Sequence, residues 1–272
     1  MKKVFPMQAT AFFLTVLMAI AGFFLRRSQL LHELLENGTL QKGSYLHIVL
    51  MAALLVYLAI LILCLRPLRK KTQWQQVFSP SVLPNATQVL CAVVLAAGNV
   101  ILLVRGQPSV VKPSAFATML HAALPPLGIV GAACIAAFAL LTMRGRKPSA
   151  LFYMGTSLYL VVRLVLNFQE WNTDPSIHDY AFRLLSAICC MLAAYQLAGF
   201  SLDRGKRRMT LFWTLCAVVF CGITMADALL RDTVDAVLIN GALGVSMLVS
   251  SIQLLNGGGR QRSARQDEVE TA

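Results

Sequence analysis

Residues Ser44 to Leu65 read SYLHIVLMAALLVYLAILILCL. The run contains no Lys, Arg, Asp or Glu, and its apolar residues show none of the alternation of a barrel strand. At 1.5 Å of rise per helical residue, about 20 such residues cross the roughly 30 Å hydrocarbon core of a bilayer. No water is there to satisfy backbone N–H and C=O groups, so the run must close its own hydrogen bonds as an α-helix. Seven further stretches repeat the pattern: Val4 to Leu25, Thr87 to Val104, Ala117 to Met143, Ser149 to Phe168, Ile177 to Leu202, Met209 to Leu230 and Thr233 to Leu255. Eight spans and their connections nearly use up the 272 residues, which excludes a separate soluble domain. The fold class is therefore all-α: a single eight-helix transmembrane bundle over residues 1–255. A polar segment, 256–272, follows Gly257-Gly258-Gly259 and is expected to be a disordered cytoplasmic tail.

The composition fits: 57% of residues are hydrophobic and 13% charged. The net charge of +12 is divided unevenly between the two sets of connections. One set holds Lys2, Lys3, Arg66, Arg69, Lys70, Lys71, Arg144, Arg146, Lys147, Arg204, Lys206, Arg207, Arg208, Arg260, Arg262 and Arg265, the other only Arg26, Arg27, Lys42, Arg105, Lys112 and Arg231. The two sets alternate along the chain, so the positive-inside rule places the richer one, and both termini, in the cytoplasm. This division is the mark of membrane threading and anionic lipid rather than of nucleic acid. Lys2 and Lys3 ahead of an apolar run ending near Ala19-Ile20-Ala21 resemble a secretory signal, but the run continues through Phe23, Phe24 and Leu25 to full spanning length. All seven cysteines lie inside apolar runs with no C-x-x-C pairing, and read as small buried hydrophobes.

Between the spans, Leu30, Leu31, Leu34 and Leu35 are spaced for one face of a short interfacial helix that stops at Asn37-Gly38. The connection from Arg66 to Ala86 combines basic residues with Trp74 and Phe78, a composition suited to the headgroup layer. Gly128, Ala132 and Ala136 line one face of the fourth run, and Ala242, Ser246 and Ser250 one face of the eighth, the small-residue spacing of close helix contact in lipid. Pro125-Pro126 remove two backbone donors and predict a kink in the fourth run. No internal repeat is evident.

Ionisable groups inside a span cost a few kcal/mol on insertion scales, about 3 kcal/mol for a central Arg, so each needs a reason. Arg163 is the foremost. It lies five residues before Phe168, about 7 to 8 Å below the helix end, on a polar stripe of Thr156, Tyr159, Arg163, Asn167 and Glu170. No acid stands at i±3 or i±4, so a partner must come from another helix or from a ligand. Asp179 opens the sixth run with Arg183 one turn below. Asp227 lies near the end of the seventh with Arg231 four residues on, and Asp235 opens the eighth with Asn240 deeper. These groups either clamp the external ends of the bundle or line an outward-facing pocket. In the pocket reading Arg163 contacts an anion and Asp179 and Asp227 orient it, with Tyr159, Asn167, Arg183, Asp235 and Asn240 completing the ligand-binding set.

Catalytic signatures are absent: there is no H-E-x-x-H, G-x-S-x-G, P-loop or G-x-G-x-x-G. Four scattered histidines, His32, His47, His121 and His178, have no metal-ligand spacing. No catalytic residue, metal or cofactor is therefore expected. An enzyme would have to use Asp227, or Asp179 with His178, as acid and base. The leading expectation is a non-enzymatic membrane protein, transporter-like or sensor-like, that binds a small anionic solute between its fifth to eighth spans. The alternative is an accessory or scaffold subunit that meets another membrane protein, or a second copy, through its small-residue faces. Both place the chain in the lipid bilayer and neither involves nucleic acid.

The segment RLVLNFQEWNTDPSIHDYAFRLLSAICCMLAAYQLAGF, from Arg163 to Phe200, and the Asp203-Arg204-Gly205-Lys206-Arg207-Arg208 after it resemble the second half of uncharacterised multi-pass membrane proteins of Gram-positive gut bacteria. That resemblance implies a bacterial plasma-membrane location and no particular activity.

Overall fold

The computed structural model describes residues 4–33, 45–68, 73–78, 80–106, 115–172, 177–231 and 234–270. They form α1 (Val4–His32), α2 (Tyr45–Leu65), α3 (Trp74–Val77), α4 (Val82–Arg105), α5 (Ala115–Met143), α6 (Ala150–Asn172), α7 (Ile177–Ser201), α8 (Arg207–Arg231) and α9 (Val234–Glu270). Eight of these, all but α3, are long and apolar enough to cross a membrane. Large apolar side chains face outward along them. Phe13, Leu17, Ile20 and Phe24 make an exposed stripe on α1, and Leu83, Leu90 and Val93 are exposed on α4. That pattern suits a solvent of acyl chains rather than water.

Helix α4 packs on α5, α5 on α6, α6 on α7, α7 on α8, α8 on α9, and α9 returns to α4, so six helices close a ring. Helix α1 lies against α8 from outside the ring, and α2 packs on α1. Consecutive spans run in opposite directions, giving the bundle one end where α8 finishes and α9 begins, here the Asp235 end, and an opposite Lys147 end.

The expected small-residue faces are buried inside this ring. Ala132 and Ala242 are covered, and a Cβ on Gly98 of α4 would come within 2.8 Å of Ile239 on α9. The α4–α9 seam is also held by amides and hydroxyls. Gln88 Nε2 donates to Ser246 O at 2.8 Å and Ser250 Oγ at 2.9 Å, Ser246 Oγ donates back to Gln88 Oε1 at 2.6 Å, and Gln253 Nε2 donates to Asn85 Oδ1 at 3.0 Å. Without a hydrophobic force between helices in lipid, close backbone approach and such bonds are what hold them together. Pro125 and Pro126 sit within α5 without ending it, as neighbouring helices permit.

Several expectations about the connections are corrected. Helix α1 does not stop at Leu25. It continues to His32, and Leu30, expected on an interfacial helix, is buried on it; residues 34–44 lie outside the described ones. Trp74 and Phe78 are not at the headgroup surface. They are buried, with Phe78 edge-on to Phe138 of α5 at 5.6 Å and to Phe200 of α7 at 5.7 Å, and Phe138 in turn 4.4 Å from Tyr153 of α6. Helix α3 also packs on α9, so the connection folds back and plugs the Lys147 end of the ring. The reason is gain of apolar burial. A Trp and a Phe that only half-desolvate in headgroups are fully covered in an aromatic cluster.

The turns that form this seal are legible in backbone terms. At the end of α5, Arg146 N–H donates to Leu141 O and Gly145 N–H to Thr142 O, a Schellman turn with Gly145 at φ +67. The end of α7 repeats it with Arg204 on Gly199 O and Asp203 on Phe200 O, and here the left-handed residue is Asp203, φ 56. That conformation turns the Asp203 carboxylate to Lys147, which donates to it, and to the backbone N–H of Trp74. The Lys147 contact holds the Asp203 carboxyl below the usual carboxylate range. Beyond Gly257-Gly258-Gly259, where a disordered tail was expected, α9 continues as helix to Glu270. The residues that follow, including Ala264, Arg265, Gln266 and Glu268, favour that conformation, and no proline interrupts it.

Candidate functional site

Arg26 and Arg163 both enter the Asp235 end of the bundle, and they meet opposite fates. Arg26, counted from sequence among the charges of a connection, lies inside α1 and is fully buried. Its Nε donates to Asp227 Oδ1 on α8 at 2.7 Å, and its NH1 donates to Gln29 Oε1 at 2.9 Å. The guanidinium carbon also stands 5.3 Å from the ring centroid of Phe182 on α7, and His47 of α2 approaches the same ring at 6.5 Å. A buried charge is tolerated only when paired and hydrogen-bonded, and Arg26 has both. This pair joins α1 to α8.

Arg163 lies on the buried face of α6, shared with Thr156, Tyr159 and Leu160, all fully covered. Its own side chain is half-buried and turns into the ring, where NH2 donates to Asn240 Oδ1 of α9 at 3.0 Å. It is within electrostatic reach of Cys190 on α7 and Cys221 on α8. Those two sulfurs are 3.6 Å apart, and Ser186 Oγ is 3.2 Å from Cys221 Sγ. Arg163 therefore stands where α6, α7, α8 and α9 converge. Among the described residues its hydrogen-bond partner is a neutral amide and no carboxylate forms an ion pair with it.

The other expected site residues are distributed around this point. Asp227 is beside Arg26, not Arg163. Asn240 and Asp235 are both buried on α9, and Asn240 reaches Arg163. Asn167 is half-buried one turn beyond Arg163 on α6, and Arg183 is half-buried on α7. Asp179 and Arg231 belong to helices α7 and α8, but their side chains lie outside the described residues, as does that of Glu170. On α9 below Asn240, Leu243 and Met247 are almost fully covered, and Ser246 between them, like Ser250 beyond, belongs to the hydrogen-bonded seam with α4.

Sequence reasoning missed Arg26, because a pair of arginines after an apolar run reads as a loop, and it missed Asn99. This asparagine of α4 is fully buried, with Nδ2 donating to Leu95 O at 2.8 Å. Its carboxamide occupies the space a side chain on Gly128 of α5 would fill, since a Cβ there would lie 2.0 Å from Oδ1. The available signal was an amide next to a glycine, Gly98-Asn99, deep in a mostly apolar run.

No family model, curated protein or solved structure matches this chain.

Proposed function

We propose that this multi-pass helical protein binds a small anionic solute through Arg163, in a polar pocket that opens at the Asp235 end, as a transporter-like or sensor-like binder. The observation that carries the reading is the neutral partner of Arg163. A guanidinium directed into a helical bundle and bonded to Asn240 has no carboxylate in an ion pair with it among the described residues, and an uncompensated cation in a low-dielectric interior attracts an anion strongly. Asp227, one of the two carboxylates expected to orient the anion, is engaged by Arg26 instead. On this reading the clamp and the pocket, alternatives on sequence, coexist at one end of the molecule, the clamp at Arg26 and Asp227 and the pocket at Arg163. The sparse basic residues at that end favour the external side of the membrane, and the aromatic plug around Phe78 supports a site closed toward the cytoplasm. A scaffold role through the small-residue faces is less well supported, because those faces are consumed in packing α4, α5 and α9 together.

The test is a thermal-stability screen of the purified protein in detergent against small anions: chloride, nitrate, inorganic phosphate and short carboxylates. Ligands that bind only the folded state raise the unfolding midpoint in proportion to occupancy. At least one of these anions is expected to raise it for the wild type and to fail with Arg163→Gln. Absence of any anion-dependent rise, or a rise that survives in Arg163→Gln, would overturn the reading.

A further inference from the structure

Resting on that reading, we propose that the site takes a monocarboxylate bearing a hydroxyl group, and that Asn99 and Tyr159 hold the hydroxyl. Arg163 brings one positive charge and Asn240 none, so a monoanion neutralises the site, whereas a dianion would leave net charge in a poorly solvated place. The rest of the ligand is indicated by two orphaned polar atoms. Asn99 Oδ1 and Tyr159 Oη belong to fully covered residues, and neither has a hydrogen-bond partner among the described residues. A buried polar group left unpaired costs about 1–3 kcal/mol, so two of them in the same layer call for a partner of matching chemistry.

They are in the same layer. Gly98 abuts Ile239, which puts the next residue on each of these antiparallel helices, Asn99 and Asn240, within about one helical turn of the same level of the ring. Asn240 receives the Arg163 bond, and Tyr159 is one turn from Arg163 on the same face of α6. Two glycines of α5, one turn apart, accommodate the pair: Asn99 covers Gly128, and the Tyr159 side chain lies 3.5 Å from where a Cβ of Gly131 would stand. Asn99 of α4 and Tyr159 of α6 thus flank the same turn of α5, Gly128 to Gly131. Asn99 Oδ1 can only accept, so the ligand must donate to it. Tyr159 Oη can donate, so the same ligand atom can accept. A hydroxyl does both, and a methyl or methylene does neither. The carboxylate sits at Arg163 and the hydroxyl reaches one turn deeper.

Matched pairs of probes separate this from a simple anion site: acetate with glycolate, propionate with L-lactate, and butyrate with 3-hydroxybutyrate. Apparent affinities are read from the midpoint rise of the full chain in detergent at several concentrations. In the wild type at least one hydroxylated member is expected to bind about tenfold tighter than its partner, the value of one well-made hydrogen bond. Tyr159→Phe and Asn99→Leu should each reduce that ratio toward one while leaving the binding of the unhydroxylated acid in place, and Arg163→Gln should abolish both. Tyr159→Phe discriminates further. Because its hydroxyl has no partner, the variant without ligand should be as stable as the wild type, so a lost preference cannot be ascribed to unfolding. Equal binding within all three pairs, or a preference that persists in both variants, overturns the hydroxyl assignment and leaves the anion site standing. Failure of every carboxylate to protect the wild type overturns the assignment as well, and the chloride, nitrate and phosphate arms then decide separately whether an anion site exists.

Discussion

Arg26 and Arg163 carry the same charge at the same end of the bundle, and their environments assign them different work. Arg26 is wholly enclosed by α1, α7 and α8 and is neutralised by Asp227, so removing one partner strands a charge in a place with no water. Arg26→Ala and Asp227→Ala are each expected to cost about 3–5 kcal/mol of stability. The double variant Arg26→Met with Asp227→Leu should recover most of that loss, since a buried ion pair is often replaceable by apolar groups of similar volume. Arg163→Gln, by contrast, abandons no carboxylate and is expected to cost under about 1 kcal/mol, the order of one neutral hydrogen bond. Denaturant unfolding in mixed micelles reads all four, and a severe loss in Arg163→Gln would show that it too is a clamp. Sequence singled out Arg163 because it interrupts an apolar run. It passed over Arg26 because the apolar run before it already had spanning length, and only the position of Asp227 in space gives that arginine a buried role.

At the scale of elements, the short α3 shows how a polar connection can be drawn into a bundle. Its Trp74 and the following Phe78 are covered by side chains from α5 and α7, while Asp203, held in a left-handed turn, ties the backbone of Trp74 and the side chain of Lys147 to the same corner. Phe78→Ala is expected to lower stability by about 3–5 kcal/mol, the range for a large aromatic removed from a packed core. Phe13→Ala, on a side chain that faces outward from α1, should change it by much less in micelles. A similar small effect for both would place Phe78 at the surface after all. The spans were legible because length and composition alone identify a helix for lipid. The plug was not, because a tryptophan and a phenylalanine beside basic residues have the same composition whether they lie in headgroups or in an aromatic cluster, and the choice depends on which helices stand near enough to cover them.

For the whole molecule, six helices in a closed ring with two more packed against α8 give a bundle that holds the Arg26–Asp227 pair and the Arg163–Asn240 bond at one end and an aromatic seal at the other. From the charge asymmetry we propose a side of the membrane for each end, and reporter fusions check it. A reporter active only in the cytoplasm is expected to work when joined after Gly145 or Gly205, and one active only outside when joined after Gly106 or Asn172; the reverse pattern would turn the proposed pocket inward. Eight membrane-length helices and their alternating direction followed from sequence, because lipid imposes one secondary structure and one span length on any chain that crosses it, whereas α1 and α9 run past their expected ends at Leu25 and Leu255. Which helices touch was decided only in three dimensions. Small-residue faces announce that a helix packs closely without naming its neighbour, so the closure of α9 onto α4, the meeting of Arg26 with Asp227 and of Arg163 with Asn240, and the layer that Asn99 shares with them arise from packing between residues far apart in the chain.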